Sequence, residues 1–282
     1  MYTRLKNLKT RLGRLFRNLD KMEKMMMEWC IDRLKSDPRY GDKKHLIPYG
    51  YKLYSQHDED GIIREIFNRI GTSNKVFIEI GVGNGLENNT LALLFDHWQG
   101  LWIEASKKSV DKIQKGFKNT IACGTLKMVN AFVSRENINA LISQNLDATE
   151  IDLLSIDIDG NDFHLFDAID CIQPRVVVIE YNAKFPPPIS YCMTYDQHHV
   201  WSRDDHFGAS LKFLETRFAE KGYCLVGCNI TGSNAFFVRK DLTGDKFLQP
   251  FSAEMFYEPA RYYLLPSSHD TKPAYKTLEK AL

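Results

Sequence analysis

The groups in this chain with chemistry to offer are carboxylates and glycines at the ends of short apolar runs. Lys75–Gly85 reads KVFIEIGVGNG, in which Val76, Phe77, Ile78 and Ile80 lead into an alternation of Gly81, Gly83 and Gly85. Glycine tolerates positive φ and has no Cβ, so a ligand can lie against bare backbone where such a loop meets the next helix. The spacing departs from the G-x-G-x-x-G of dinucleotide sites: Leu86 stands in place of the last glycine, and an acid, Glu79, precedes Gly81 by two positions. That argues against a cradled pyrophosphate. A second apolar run, Gly100–Ile103, ends at Glu104. It lies about twenty residues past the glycines, where a carboxylate can accept hydrogen bonds from both hydroxyls of a ribose.

A further set of acids follows. Ile151–Gly160, IDLLSIDIDG, ends in Asp157 and Asp159, with Asp162 past the turn, and Arg175–Tyr181 carries Glu180 and is followed by Asn182. Asp157, Asp159, Glu180 and Asn182 are hard oxygen donors that suit Mg²⁺ or Mn²⁺ better than zinc. The same acids could instead be solvated groups at a helix N-terminus, or could bind a substrate directly. His198, His199 and His206 fall in Phe185–Phe207, an irregular stretch rich in proline and aromatics that reads as a lid over an acceptor. Asp157, His199 and His206 are the candidate catalytic groups.

To converge, these residues need an open sheet whose strands all end on one side. Strands are expected around Val76–Ile80, Gly100–Ile103, Lys127–Val133, Ile151–Gly160 and Arg175–Tyr181, with helices near Glu87–His97, His164–Ile172 and Gly208–Lys221. Tyr223–Asn229 and Ala235–Lys240, joined across Thr231-Gly232-Ser233, read as a closing hairpin. The order is that of a doubly wound α/β fold, with its ligand crevice outside the carboxyl ends of the strands. Asn130 would then sit at the end of the third strand near an adenine, although a surface turn explains it almost as well.

The E-x-G-x-G-x-G of Glu79–Gly85 resembles the first motif of the class I S-adenosylmethionine (SAM) methyltransferases. Ser55-Gln56 followed by Glu59-Asp60, one helix upstream, resembles the FkbM-type branch, which acts mainly on hydroxyls of sugars and related natural products. The likeness covers roughly Tyr54–Asp241 and implies a Rossmann-like seven-stranded methyltransferase sheet with its last strand antiparallel. It implies that Gly81, Gly83 and Gly85 lie under the adenosyl and amino-acid parts of SAM, that Glu79 answers its positive charge, and that Gln56 reaches it. With Glu104, Asn130 and Asp157 these make the expected cofactor-binding set. The expected activity is O-methylation of a sugar hydroxyl, in bacterial surface polysaccharide or glycosylated natural products, with Mg²⁺ or Mn²⁺ as a further cofactor. A nicotinamide-dependent oxidoreductase would share the strand, turn and Glu104 but not the glycine spacing. A non-catalytic SAM-binding scaffold would act through its N-terminal helix.

Composition sets the remaining bounds. At 282 residues, 44% hydrophobic and 26% charged, with a net charge of +1, the chain reads as one methyltransferase domain, residues 37–282 with its core at 54–241, behind an N-terminal extension of residues 1–36. The overall charge gives no bias toward nucleic acid. No run approaches a membrane span, and the six cysteines, none in a C-x-x-C pair, read as free thiols of a reducing compartment, so a cytoplasmic location is expected. Leu5, Leu8, Leu12, Leu15, Leu19, Met22, Met26 and Trp29 repeat every 3.5 residues, the seam of a coiled coil, beside a strongly basic face. The expected partner is a second copy in a homo-oligomer, paired antiparallel or splayed. Contact with an anionic membrane surface, or packing on the chain's own domain, are the other uses of such a helix.

Overall fold

The computed structural model describes residues 2–264 and 278–279, with side chains from residue 11 onward. Leu5 and Leu8 of the seam and most of the C-terminal tail therefore lie outside the described side chains. The chain forms two compact units, Met1–Gly41 and Asp42–Leu282, so the break falls a few residues beyond the expected one. The first unit is a single helix, α1, Tyr2–Lys35, followed by a short turn. Among the described residues no helix is long and apolar enough to cross a membrane.

The second unit begins with α2, Glu59–Ile70, and then alternates strand and helix: β1 Val76–Ile80, α3 Leu91–Leu94, β2 Gln99–Glu104, α4 Lys107–Gly116, α5 Lys118–Ala122, β3 Leu126–Asn130. It continues through α6 Ile138–Ser143, β4 Glu150–Ile156, α7 Asp162–Ala168, β5 Gln173–Glu180, α8 Leu211–Glu220, β6 Tyr223–Cys228 and β7 Asn234–Arg239. The seven strands lie in the order β3-β2-β1-β4-β5-β7-β6, all parallel except β7, which runs antiparallel to both neighbours. Chain direction reverses across the sheet between β1 and β4, and that is where an open α/β sheet leaves a crevice.

Both faces of the sheet are covered, so the central strands are apolar on both sides. Ile78, Ile80, Leu154, Ile156, Val177 and Ile179 pack into one cluster, and Phe77, Trp102, Leu153, Val176 and Val178 into the other. At the opposite end from the crevice, Asp152 is buried on β4. It accepts hydrogen bonds from the backbone of Ser73, Asn74 and Lys75 and pairs with the Arg175 guanidinium. This group ties the entry of β1 to β4 and β5.

The helix expected over Glu87–His97 is only one turn, Leu91–Leu94. The intervening loop is spent on Glu79. Its buried carboxylate accepts from Asn88 Nδ2 at 2.8 Å, the Asn89 N–H at 2.7 Å, and both the N–H and hydroxyl of Thr90. A buried carboxylate needs such partners, and these donors hold the chain out of helical geometry.

Candidate active site

The carboxyl ends of β1, β2, β3 and β4 frame a cleft of ≈ 320 Å³. Its floor is Gly81 and Gly83, its sides are Glu104 and Ala105 against Phe132 and Val133, and its far wall is Asp157, Asp159, Asn161 and His199. Gly81 has φ +87°, and a Cβ there would stand 1.8 Å from the Asp157 carbonyl oxygen, so only glycine fits between the two strand ends. Gly83, with φ +54° and open space above it, gives the loop its bare surface. Gly85 has another task. A Cβ there would press on Ile113 and Trp102 at 3.0 Å, so this glycine lets the loop seat against α4 and does not face the cleft.

Glu104 ends β2 inside the cleft. One carboxylate oxygen accepts from the Gly83 N–H at 2.8 Å and the other from the Ser106 N–H at 2.7 Å. The side chain therefore fastens two loops as well as facing the cleft. Each oxygen keeps a further lone pair for a ligand.

Three expected cofactor residues are placed elsewhere. Glu79 faces away from the cleft, because successive strand residues point to opposite faces and its neighbour Ile80 takes the cleft side. Burial pushes its carboxyl pKa up, and the hydrogen bonds from Thr90, Asn89 and Asn88 work against that shift. Asn130 is exposed and donates from Nδ2 to the carbonyls of Glu104 and Ala105, so it braces the β2–α4 turn, while Ala131, Phe132 and Val133 take the wall. Gln56 is exposed and lines no part of the cleft. Its neighbours in the acidic run are the structural ones. Asp60 Oδ2 gathers the N–H groups of Leu53, Tyr54 and Ser55, and Glu59 Oε1 accepts from the side chains of Asn229 and Asn234.

The acids at the reacting end assemble differently from the expected set of Asp157, Asp159, Glu180 and Asn182. Asp157, Asp162 and Glu180 each bring a carboxylate oxygen within 4.8 Å of the other two. Asp159, at φ +55°, turns to the surface side of the cleft, and Asn182 is buried with its amide donating to the carbonyls of Asp205 and Phe207. Asp162 is held by the N–H groups of Ile158 and Gly160 in the turn after β4, which is why an acid past the strand reaches back to the cluster. Burial and mutual repulsion push the Asp157 and Glu180 pKa values well above the carboxylate range, and burial takes Asp162 to about 6. Glu180 Oε2 is buried and has no hydrogen-bond partner among the described residues. Asp157 belongs both to this triad and to the cleft wall, so the two are one site.

The stretch 185–207 is irregular, as expected, and is anchored to the site. Asn161 donates to the Asp196 carbonyl at 2.7 Å, and Lys184 pairs with Asp205. Of its histidines, His199 lines the cleft, its ring against Gly160 and Nε2 3.3 Å from the Asp159 carbonyl oxygen. His206 stands behind it, 6.3 Å away between ring centres, beside the Tyr191 hydroxyl. A segment the sequence did not single out is the one after Tyr257, where the Tyr181 hydroxyl donates to the Glu258 carbonyl and the Tyr257 hydroxyl to the Ala183 carbonyl. Nothing in its local sequence marks it; these two bonds tie it to the end of β5.

Strand order, the single antiparallel strand and the cleft at the β1/β4 reversal decide the architecture. The fold is the class I methyltransferase fold. No family model matches the chain, and neither does any curated protein sequence. Among solved structures, a Staphylococcus aureus protein assigned as a caffeoyl-CoA O-methyltransferase is 14% identical, with 76% of this chain covering 99% of that one at a TM-score of 0.46. The N-terminal domain of EvdMO1, solved with SAH and D-fucose, is 12% identical over 67% of this chain and 88% of its own, at 0.42. M. capricolum TrmK in complex with SAH is 11% identical over 70% of this chain and 74% of its own, at 0.41.

Proposed function

We propose that the chain is a SAM-dependent O-methyltransferase of the FkbM-like kind, acting on a sugar hydroxyl in surface polysaccharide or glycosylated natural product synthesis. The observation that carries this reading is the pairing of Glu104 with Gly83 at the mouth of the glycine loop. A carboxylate fixed there, beside bare backbone, suits the two hydroxyls of a ribose, and Phe132 and Val133 offer apolar surface to a base. The amino-acid end of SAM would lie over Gly81, with its methyl group toward Asp157.

In the transfer, the acceptor oxygen attacks the methyl carbon, the carbon–sulfur bond breaks with its electron pair left on sulfur, and the hydroxyl proton passes to a base. Much of the acceleration comes from holding oxygen, carbon and sulfur in line. Asp157 and His199 line the wall on the side where the methyl group would point, and either could take the hydroxyl proton. The triad also fits a hard divalent cation such as Mg²⁺ or Mn²⁺, because it sets three carboxylate oxygens within 4.8 Å of one another and leaves Glu180 Oε2 without a partner among the described residues. Asp157, Asp162 and Glu180 would hold the ion. When bound it would lower the pKa of the acceptor hydroxyl.

Equilibrium titration of the purified chain with SAM and with NAD tests the cofactor, and only SAM is expected to bind. Incubation with labelled SAM and a panel of glycans tests the acceptor, with label expected in the sugar. Label confined to protein, lipid or nucleic acid would end the sugar reading while leaving the methyltransferase one standing.

A further inference from the structure

The first 35 residues carry ten Lys and Arg against four Asp and Glu, leaving 27 against 32 in the rest of the chain. Along α1 the side chains of Leu12, Leu15, Leu19, Met22, Met26 and Trp29 are between 44% and 65% exposed, a continuous apolar stripe open to solvent. Phe16 and Met25, at the edges of that stripe, are exposed as well. A stripe repeating every 3.5 residues fits another helix better than a broad lipid surface. What remains is which helix, and in which direction.

We propose that α1 pairs antiparallel with α1 of a second copy, about a two-fold axis beside Arg17. In that register Leu15 packs on the copy's Leu19 and Leu12 on its Met22. By sequence position the same alignment sets Leu8 opposite Met26 and Leu5 opposite Trp29, so every seam residue meets a seam residue. The positions flanking the seam decide between this and the alternatives. In an antiparallel pair each flank faces its own kind, which places Lys9 opposite Glu23 and Arg4 opposite Asp32, opposite charges each time. At the axis itself a residue meets its own copy, where any charge would repel itself; the two flank residues there, Phe16 and Asn18, are uncharged. A parallel pair would set Arg4 against Lys9 twice. A helix lying on anionic lipid would gain nothing from acids at Glu23 and Asp32. The contact is isologous, as a closed dimer requires.

Light scattering of the full chain in moderate salt should give twice the chain mass, and Leu15→Asp/Leu19→Asp should give a single chain with the melting of the second unit unchanged. With Cys30 and Cys123 replaced by Ser, oxidation of a Leu12→Cys chain mixed with a Met22→Cys chain should yield the mixed disulfide, and neither variant alone should cross-link. Self-cross-linking of the Leu12→Cys chain would mean a parallel pair and overturn the register. A monomer that floats with phosphatidylglycerol vesicles, or a dimer indifferent to the Leu15/Leu19 change, would overturn the proposal altogether.

Discussion

At the level of single residues, the site separates groups that meet a ligand from groups that shape the loop around it. Glu104 does both. Glu104→Ala should weaken SAM binding by about one to two orders of magnitude, the worth of one or two charge-assisted hydrogen bonds, and also lower stability by about 1 kcal/mol through the lost loop contacts. Calorimetry with SAM and a urea melt separate the two effects. Unchanged SAM affinity in a folded variant would remove Glu104 from the cofactor site. Asp157, Asp162 and Glu180 make a second residue-level case, since three carboxyls this close, one buried and two half-buried, cannot all carry charge unless a cation sits between them. Added Mn²⁺ should raise the melting temperature of the native chain and leave that of Glu180→Gln where it was. An equal shift in both would return these acids to a proton-sharing role.

At the level of elements, two buried carboxylates, Asp152 and Glu79, fix the strands that carry the site. Asp152 serves three N–H groups and Arg175 from a fully buried position. Removing one partner leaves the other charge buried alone, so Asp152→Ala should cost about 3–5 kcal/mol in urea unfolding, whereas an exposed pair such as Lys107–Asp111 should contribute under about 1 kcal/mol. A loss below 1 kcal/mol for Asp152→Ala would show that the entry of β1 is held by packing instead. Glu79 plays the same part for the glycine loop, which is why the helix after it starts late.

For the molecule as a whole, the carboxyl triad links stability to pH. Asp162 titrates near 6 in the folded chain against the ordinary carboxylate value unfolded, so its contribution is fully present below about pH 4 and is lost as pH rises through about 6. Without divalent ions the native chain should be less stable at pH 8 than at pH 5, and Asp162→Asn should shrink that difference; a chain equally stable at both would contradict it. The linear sequence alone determined the strand-and-helix order, the glycine loop, Glu104 at the end of β2 and the seam of α1. Those follow from apolar periodicity and glycine spacing, which act over a few neighbouring residues. Only the tertiary structure decided which acids meet. Asp162 displaced Asp159 and Asn182 from the triad because the turn after β4 folds it back, and Glu79 turns to the backbone and side chains of Asn88, Asn89 and Thr90 because of its strand face. The Glu258 carbonyl came to Tyr181, at the end of β5, from 77 residues away. The direction of a side chain at a strand end depends on turn geometry and on contacts between distant segments, and no local pattern of residues encodes those.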